Sequence, residues 1–160
     1  MLPSGLGGWL VVGVVTGLAG GVVMDLLLTQ QEDGFAPARV AVAVLTGRSP
    51  VEVPFRDAVV AHHVASGIVG GAYGVLSFAF SALVPTGLLV GGVQAVPHAL
   101  AVLAVVGVIY FFFTAVVLPR VDDGVYEERA TAIHGQWLRA AALFGAVLLV
   151  GVPAIVTSVA

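Results

Sequence analysis

The sequence contains no cysteine. A disulfide framework, a thiolate metal site and a cysteine nucleophile are therefore excluded. It contains no lysine either: all six basic residues are arginine, and with nine acids they bring charged residues to only 9% of the chain. A soluble domain carries roughly 25% charged residues, spread over its whole exterior. A shortfall of that size leaves no water-compatible surface for a chain of 160 residues. The charges present are also gathered: none precedes Asp25 and none follows Arg139. No phosphate-binding loop, dinucleotide fingerprint, HExxH or GxSxG motif occurs. The glycine-rich runs lie inside apolar stretches, where no phosphate would be cradled. A net charge of −3 offers nothing to a nucleic acid.

What is present is long hydrophobic runs. The chain is 59% hydrophobic with a mean hydropathy of +1.10. A span needs about 20 predominantly apolar residues, and four segments meet this: residues 5–28, 58–84, 98–118 and 140–160. The first run has no basic flank, so it reads as a retained span and not as a signal peptide. Residues 37–46 are apolar but too short to cross. Pro37 suits a first helical turn and Gly47 a stop, so this piece is expected at the interface or against the bundle. Residues 126–139 are expected to form a second interfacial segment, with Glu127 and Glu128 at the end of the helix dipole that favours anions. Residues 88–118 would make one helix of about 46 Å, too long for a hydrocarbon core of about 30 Å. Pro97 is expected to break it. That would leave residues 88–96 as a short outer piece and free the Val93 carbonyl. Pro85-Thr86-Gly87 reads as a tight uncharged turn. The expected architecture is all-α: a polytopic transmembrane four-helix bundle, one domain, with a short interfacial helix between spans one and two.

Arg39, Arg48 and Arg56 lie between spans one and two, and Arg120, Arg129 and Arg139 between or beside spans three and four. By the positive-inside rule these loops face the cytoplasm and both termini lie outside, in a multi-pass protein of the cell membrane. The lipid bilayer is then the obligatory partner. With so little mass outside it, a membrane-protein partner or a second copy of the chain would be met within the bilayer.

Helices in lipid gain no hydrophobic drive from touching, so small residues that allow close backbone approach take over. Gly13, Gly17 and Gly21 form a double GxxxG ridge on span one. Gly67, Gly70, Gly71 and Gly74 form another on span two. The two ridges are expected to meet as the seam of an antiparallel pair. Asp25 follows Gly21 by four residues and His63 precedes Gly67 by four, so the antiparallel spans put both near one end of the seam.

Asp25 is the one acid inside an apolar run, and a carboxylate at membrane depth is costly and usually paired or functional. His62 and His63 open span two. Adjacent helical side chains point about 100° apart, so one ring is expected to face the bundle and the other the headgroups, without joint chelation of one ion. His134, on the same side, completes a candidate polar cluster of Asp25, His62, His63 and His134. A transmembrane b-type haem needs histidines from facing helices at matched depth. His62 or His63 with His134 is the pair that would supply it, and His63 with His134 the pair for a metal, although no HxxxH or ExxH spacing supports either. Gln94 and His98, four residues apart across Pro97, form a candidate outer-edge site. Trp9, Trp137, Tyr110 and Tyr126 suit interface or packing roles, and Phe111-Phe112-Phe113 suits lipid-facing bulk.

Three stretches carry a family resemblance: Gly20-Gly21-Val22-Val23-Met24-Asp25; Gly34-Phe35-Ala36-Pro37 with the short apolar segment after it; and His62-His63 opening a helix that reaches Gly70-Gly71-Ala72-Tyr73-Gly74. On these the first half of the chain resembles the YagU-like small integral membrane proteins. The resemblance implies a four-span fold and supplies no catalytic residues. The expected function is that of a non-enzymatic accessory or interaction protein of the membrane without a cofactor. Two alternatives stand beside it: a haem- or metal-binding redox protein using His62 or His63 with His134, and an oligomeric small transporter or proton pathway using Asp25.

Overall fold

The computed structural model describes residues 5–32, 34–84, 87–120 and 128–159. Its α-helices are α1 (Leu6–Leu28), α2 (Ala36–Thr46), α3 (Phe55–Leu83), α4 (Ala95–Phe112) and α5 (Ala130–Ser158). A π-turn (Phe113–Val117) and a short 3-10 turn (Leu118–Arg120) continue α4 without a break. Four helices are long and apolar enough to cross a membrane: α1, α3, the continuous Ala95–Arg120 helix and α5, with mean hydropathies of 2.1, 1.5, 2.7 and 2.3. The protein is thus an all-α bundle with four membrane-spanning candidates. The lowest value belongs to α3, whose first turns carry Arg56, Asp57, His62 and His63. At 1.5 Å per residue, the 29 residues of α3 are long enough for these polar turns to reach past the hydrocarbon.

Consecutive spans run antiparallel and close into a ring, because α5 returns to pack on α1. Thr16 meets Gly151 and Gly20 meets Phe144 across that contact. Across α4 and α5, Gly145 receives Val106 and His98 reaches Leu149. The tightest contact is between α1 and α3. A Cβ built at Gly13 or Gly17 would fall on the backbone of Gly70 or Ser66, and one at Gly74 on the backbone of Trp9. Glycine is required at these positions because backbone meets backbone. Gly67 and Gly71 differ: a Cβ there would make only ordinary contacts with Leu18 and Val14, at 3.4 Å each. Gly21 ends the ridge against Ser66 and His62.

Helix α2 carries Pro37 in its first turn and stops at Gly47, whose φ of 68° suits glycine. Its Val40 is fully buried, so α2 packs on the bundle at the arginine-bearing end. Three boundaries differ from the sequence reading. Residues 88–96 are not a helical outer piece. Leu89–Val90 pairs antiparallel with Val93–Gln94 around Gly91 and Gly92, whose φ angles are 53° and 77°. Two central residues with positive φ are what a tight hairpin turn demands, and two glycines supply it. Pro97 therefore breaks nothing. It lies in the first turn of α4, where a missing N–H costs no hydrogen bond, and Val93 stands in the hairpin. Finally, α5 is continuous from Ala130, so residues 130–139 belong to the fourth span's own helix and form no separate interfacial element. Nothing in Ala130–Arg139 interrupts it, since the first helix breaker is Pro153. Pro85, Thr86, Tyr126 and Glu127, which carried the reading of a turn and of a helix start, lie outside the described residues.

Phe111 and Phe112 are exposed on α4, while Phe113 is buried and packs its ring on Trp137 at 5.2 Å. The 100° step of a helix turns the third phenylalanine inward. Trp9 is buried, and the half-buried Trp137 donates its indole N–H to the Ile109 carbonyl at 3.3 Å.

Candidate functional site

Two polar nodes stand at opposite ends of the bundle, and α3 contributes to both. At the arginine-bearing end, Asp25 lies one turn before the end of α1, between the two histidines of α3. His62 Nε2 stands 3.5 Å from Asp25 Oδ1, and His63 Nε2 stands 3.2 Å from Oδ2. The expectation that the rings diverge is not met. Their centroids are 5.3 Å apart and nearly perpendicular, because both side chains bend toward the carboxylate that α1 inserts between them. His62 is buried, with the Phe35 ring edge-on at 5.9 Å. The side chains of His63 and Asp25 keep 30% and 28% of their exposure, so water reaches this node from one side.

The hydrogen bonds fix where ring protons sit. Ring nitrogens that face carbonyl oxygens must donate. His62 Nε2–H therefore donates to the Gly21 carbonyl at 3.2 Å, and His63 Nδ1–H to the Val59 carbonyl at 3.0 Å. Ser66 donates its hydroxyl to the His62 carbonyl at 2.8 Å. Two consequences follow. Asp25 Oδ1 is buried without a hydrogen bond, since the nearest N–H is aimed at Gly21. And His63 Nε2 faces Oδ2 with its other nitrogen already donating, so the contact is an ion pair when the imidazole is protonated. Farther out, Arg129 pairs with Glu32 at 3.0 Å and ties the start of α5 to the end of α1.

At the opposite end, the buried Tyr73 of α3 donates its hydroxyl to His98 Nδ1 at 2.6 Å. His98, buried on α4, donates Nε2–H to the Leu149 carbonyl of α5 at 3.0 Å. That carbonyl is free for a reason written in the sequence. Leu149 is four residues before Pro153, which has no N–H to close the helical hydrogen bond. The proline whose orphan carbonyl matters is thus Pro153 and not Pro97. The hairpin tip covers the spot, for a Cβ at Gly91 would strike Pro153. Gln94 is half-buried at the end of the second hairpin strand.

Of the residues singled out in the sequence, the structure brings together Asp25, His62 and His63. It joins His98 to Tyr73 and Leu149. His134 is half-buried near the start of α5, and its Nε2 is buried without a hydrogen bond. Among the described residues no group of three or more His, Cys, Asp or Glu has a metal-holding arrangement. Sequence reasoning passed over Tyr73 and Pro153. A lone tyrosine in a glycine-rich span, and a proline one turn after a span residue, were the signals that could have found them.

Comparison with protein-family models, curated proteins and solved structures finds no match for the chain. Its function is therefore argued from geometry alone.

Proposed function

We propose that the chain is a non-enzymatic, multi-pass membrane protein that works by contact within the bilayer, as an accessory or interaction subunit or as a homo-oligomer. One observation carries this reading: two sets of polar side chains inside the bundle hold helices to one another. Asp25 and its histidines clasp α1 to α3, and His98 clasps α3, α4 and α5. The outward surface is apolar along all four spans. Leu103, Val108 and Phe111 on α4 are each about two-thirds exposed, and Val22 on α1 is 57% exposed. Arginine placement supports a cytoplasmic Asp25 end with both termini outside. A photocrosslinking residue at Leu103 or Phe111 in intact cells is expected to give one discrete protein adduct, either a partner or a second copy. Lipid adducts alone, at these and at Val22, would remove the reading.

A second reading, a proton-linked transporter, is favoured by the carboxylate set between two imidazoles at a node that water reaches from one side. Its weakness is the gap to the other node. Ser66 and Tyr73 are seven residues apart on α3, roughly 10 Å at 1.5 Å per residue. The dry glycine seam fills that depth, and the Thr16 hydroxyl there is turned back on the Val12 carbonyl. Proton flux in liposomes that Asp25→Asn abolishes would establish this reading; equal flux would take Asp25 out of any pathway. The b-type haem reading draws no support from the ring directions, since His62 and His63 are both turned onto Asp25. A Soret band in the purified protein would establish it.

A further inference from the structure

Helices α3 and α4 touch at Tyr73 and His98 and part toward the arginine-bearing end, leaving a cavity of about 270 Å³ between them. Ala61, Ala65 and Val69 line it from α3; Phe112, Phe113 and Val117 line it from α4. Ala65 and Phe112 are exposed at its rim. Met24 of α1 and Phe144 of α5 form its floor, and Ala38 of α2 lines it from the arginine-bearing end. Small side chains on α3 keep it open. On α4 its wall includes the π-turn, an irregularity that frequently accompanies functional sites. An opening of this kind between spanning helices faces hydrocarbon. Apolar walls do not hold water, so the natural occupant is a lipid chain.

The wall is not wholly apolar, and its exceptions select a chemistry. His62 and Ser66 line the same cavity. His62 donates through Nε2 to Gly21, so in the neutral ring Nδ1 is a bare acceptor, and it makes no hydrogen bond among the described residues. Ser66 donates its proton to the His62 carbonyl, and its oxygen stands against Gly21 of α1. The Trp137 N–H is already held by Ile109. The cavity therefore presents one acceptor, His62 Nδ1, and no open donor, and none of its lining residues among those described is arginine, aspartate or glutamate. An anionic headgroup would find no cation there. A plain hydrocarbon would leave this acceptor unpaired in an apolar setting. A hydroxyl supplies the missing donor. We propose that this cleft binds a neutral membrane lipid with a free hydroxyl, its chain lying between α3 and α4 and its hydroxyl donating to His62 Nδ1. The proposal is independent of whether a protein partner docks on the outer face.

The full chain in lipid nanodiscs is to be illuminated with a long-chain alcohol bearing a photoreactive diazirine, and in parallel with the methyl ether of the same probe. The alcohol is expected to label residues 61–69 and 109–117 at least fivefold more than the ether, and excess unlabelled alcohol to suppress that labelling. His62→Phe, which keeps a ring and removes Nδ1, is expected to narrow the alcohol-to-ether ratio at least twofold. Ala65→Trp, which fills the mouth from an exposed position, is expected to abolish labelling by the alcohol. Equal labelling of wild type by alcohol and ether would overturn the proposal, and this comparison needs no variant to fold. Undiminished labelling in a monodisperse Ala65→Trp protein would overturn it too.

Discussion

The two polar nodes are built from similar parts and reach opposite states. At the Tyr73 end the two side chains are bonded in series, hydroxyl to Nδ1 and Nε2–H to a carbonyl that a proline left vacant, while the buried Ser77 hydroxyl one turn along α3 makes no hydrogen bond. The three bonded groups come from different helices and the two side chains are buried. At the Asp25 end there are three ionisable groups, two committed N–H bonds, and a carboxylate oxygen with no hydrogen bond. A buried hydrogen-bonded chain rigidifies its surroundings, whereas a buried carboxylate oxygen without a donor marks strain or use. The difference teaches which end is a bolt and which is a site. The Tyr73 node closes α3, α4 and α5 together at one end. The Asp25 node stands at the other, where α3 and α4 part around a lipid-sized cleft that His62 lines.

The largest effect that tests this contrast should come from His98→Ala. It removes two hydrogen bonds, strands the Tyr73 hydroxyl and the Leu149 carbonyl, and leaves a cavity where three helices meet. The expected loss is about 3 kcal/mol, from one small cavity and two unpaired groups. Reversible unfolding in mixed micelles would measure it. A loss below about 1 kcal/mol, close to the cost of a single hydrogen bond, would mean that the node does not bolt the bundle. Next comes the Asp25–His63 pair. Asp25→Ala and His63→Ala should be non-additive by about 1 kcal/mol in a double-mutant cycle, since the two side chains touch. Strictly additive losses would show that the two do not pair.

Most of the architecture was legible before any coordinates, because it follows from one-dimensional signals. Apolar run length marked four helices, and Pro37 and Gly47 bracketed the short helix between the first two. Spacing from the glycine ridge put Asp25 and His63 at one end of the bundle. What spacing could not give was rotamer direction. The 100° step predicted that His62 and His63 diverge, yet a carboxylate from another helix draws both rings inward. Nor could pattern alone separate a helix from a hairpin at residues 88–96, because two consecutive glycines fit a turn only once their positive φ is known. Proline was the subtlest case. Pro97 and Pro153 both lie inside apolar runs, and only position within the helix decides which frees a carbonyl. At the first turn nothing is lost; deep in α5 a bond is lost and another helix must supply the donor.

Tyr73→Phe should cost less than either change above. It removes one donor and keeps the ring, and hydrogen bonds between membrane helices average about 0.6 kcal/mol. The value sharpens the comparison because the His98 Nδ1 left behind is an acceptor with no donor, the condition proposed for His62 Nδ1 in the cleft. A loss well above 1.7 kcal/mol, roughly the largest such bond measured between membrane helices, would mean that the hydroxyl also organises its neighbours.

The smallest effect is the most discriminating. Pro153→Ala returns an N–H to α5, one residue position from which it can donate to Leu149 as an ordinary helix does. The carbonyl has two lone pairs and can keep His98 while accepting the new donor, so the single change should move stability by no more than about 0.5 kcal/mol, as gain of a backbone bond offsets loss of the proline's packing against Gly91. Its value lies in combination. In His98→Ala the Leu149 carbonyl is stranded, and Pro153→Ala should then recover about 1 kcal/mol by satisfying it. Recovery in the double variant, with near silence in the single one, is the signature of a helix that lost its own hydrogen bond and borrowed a donor from its neighbour. The same small change in both backgrounds would instead mean that His98 holds the bundle by its bulk, and the opposite ends of α3 would differ in packing and not in how their protons are placed.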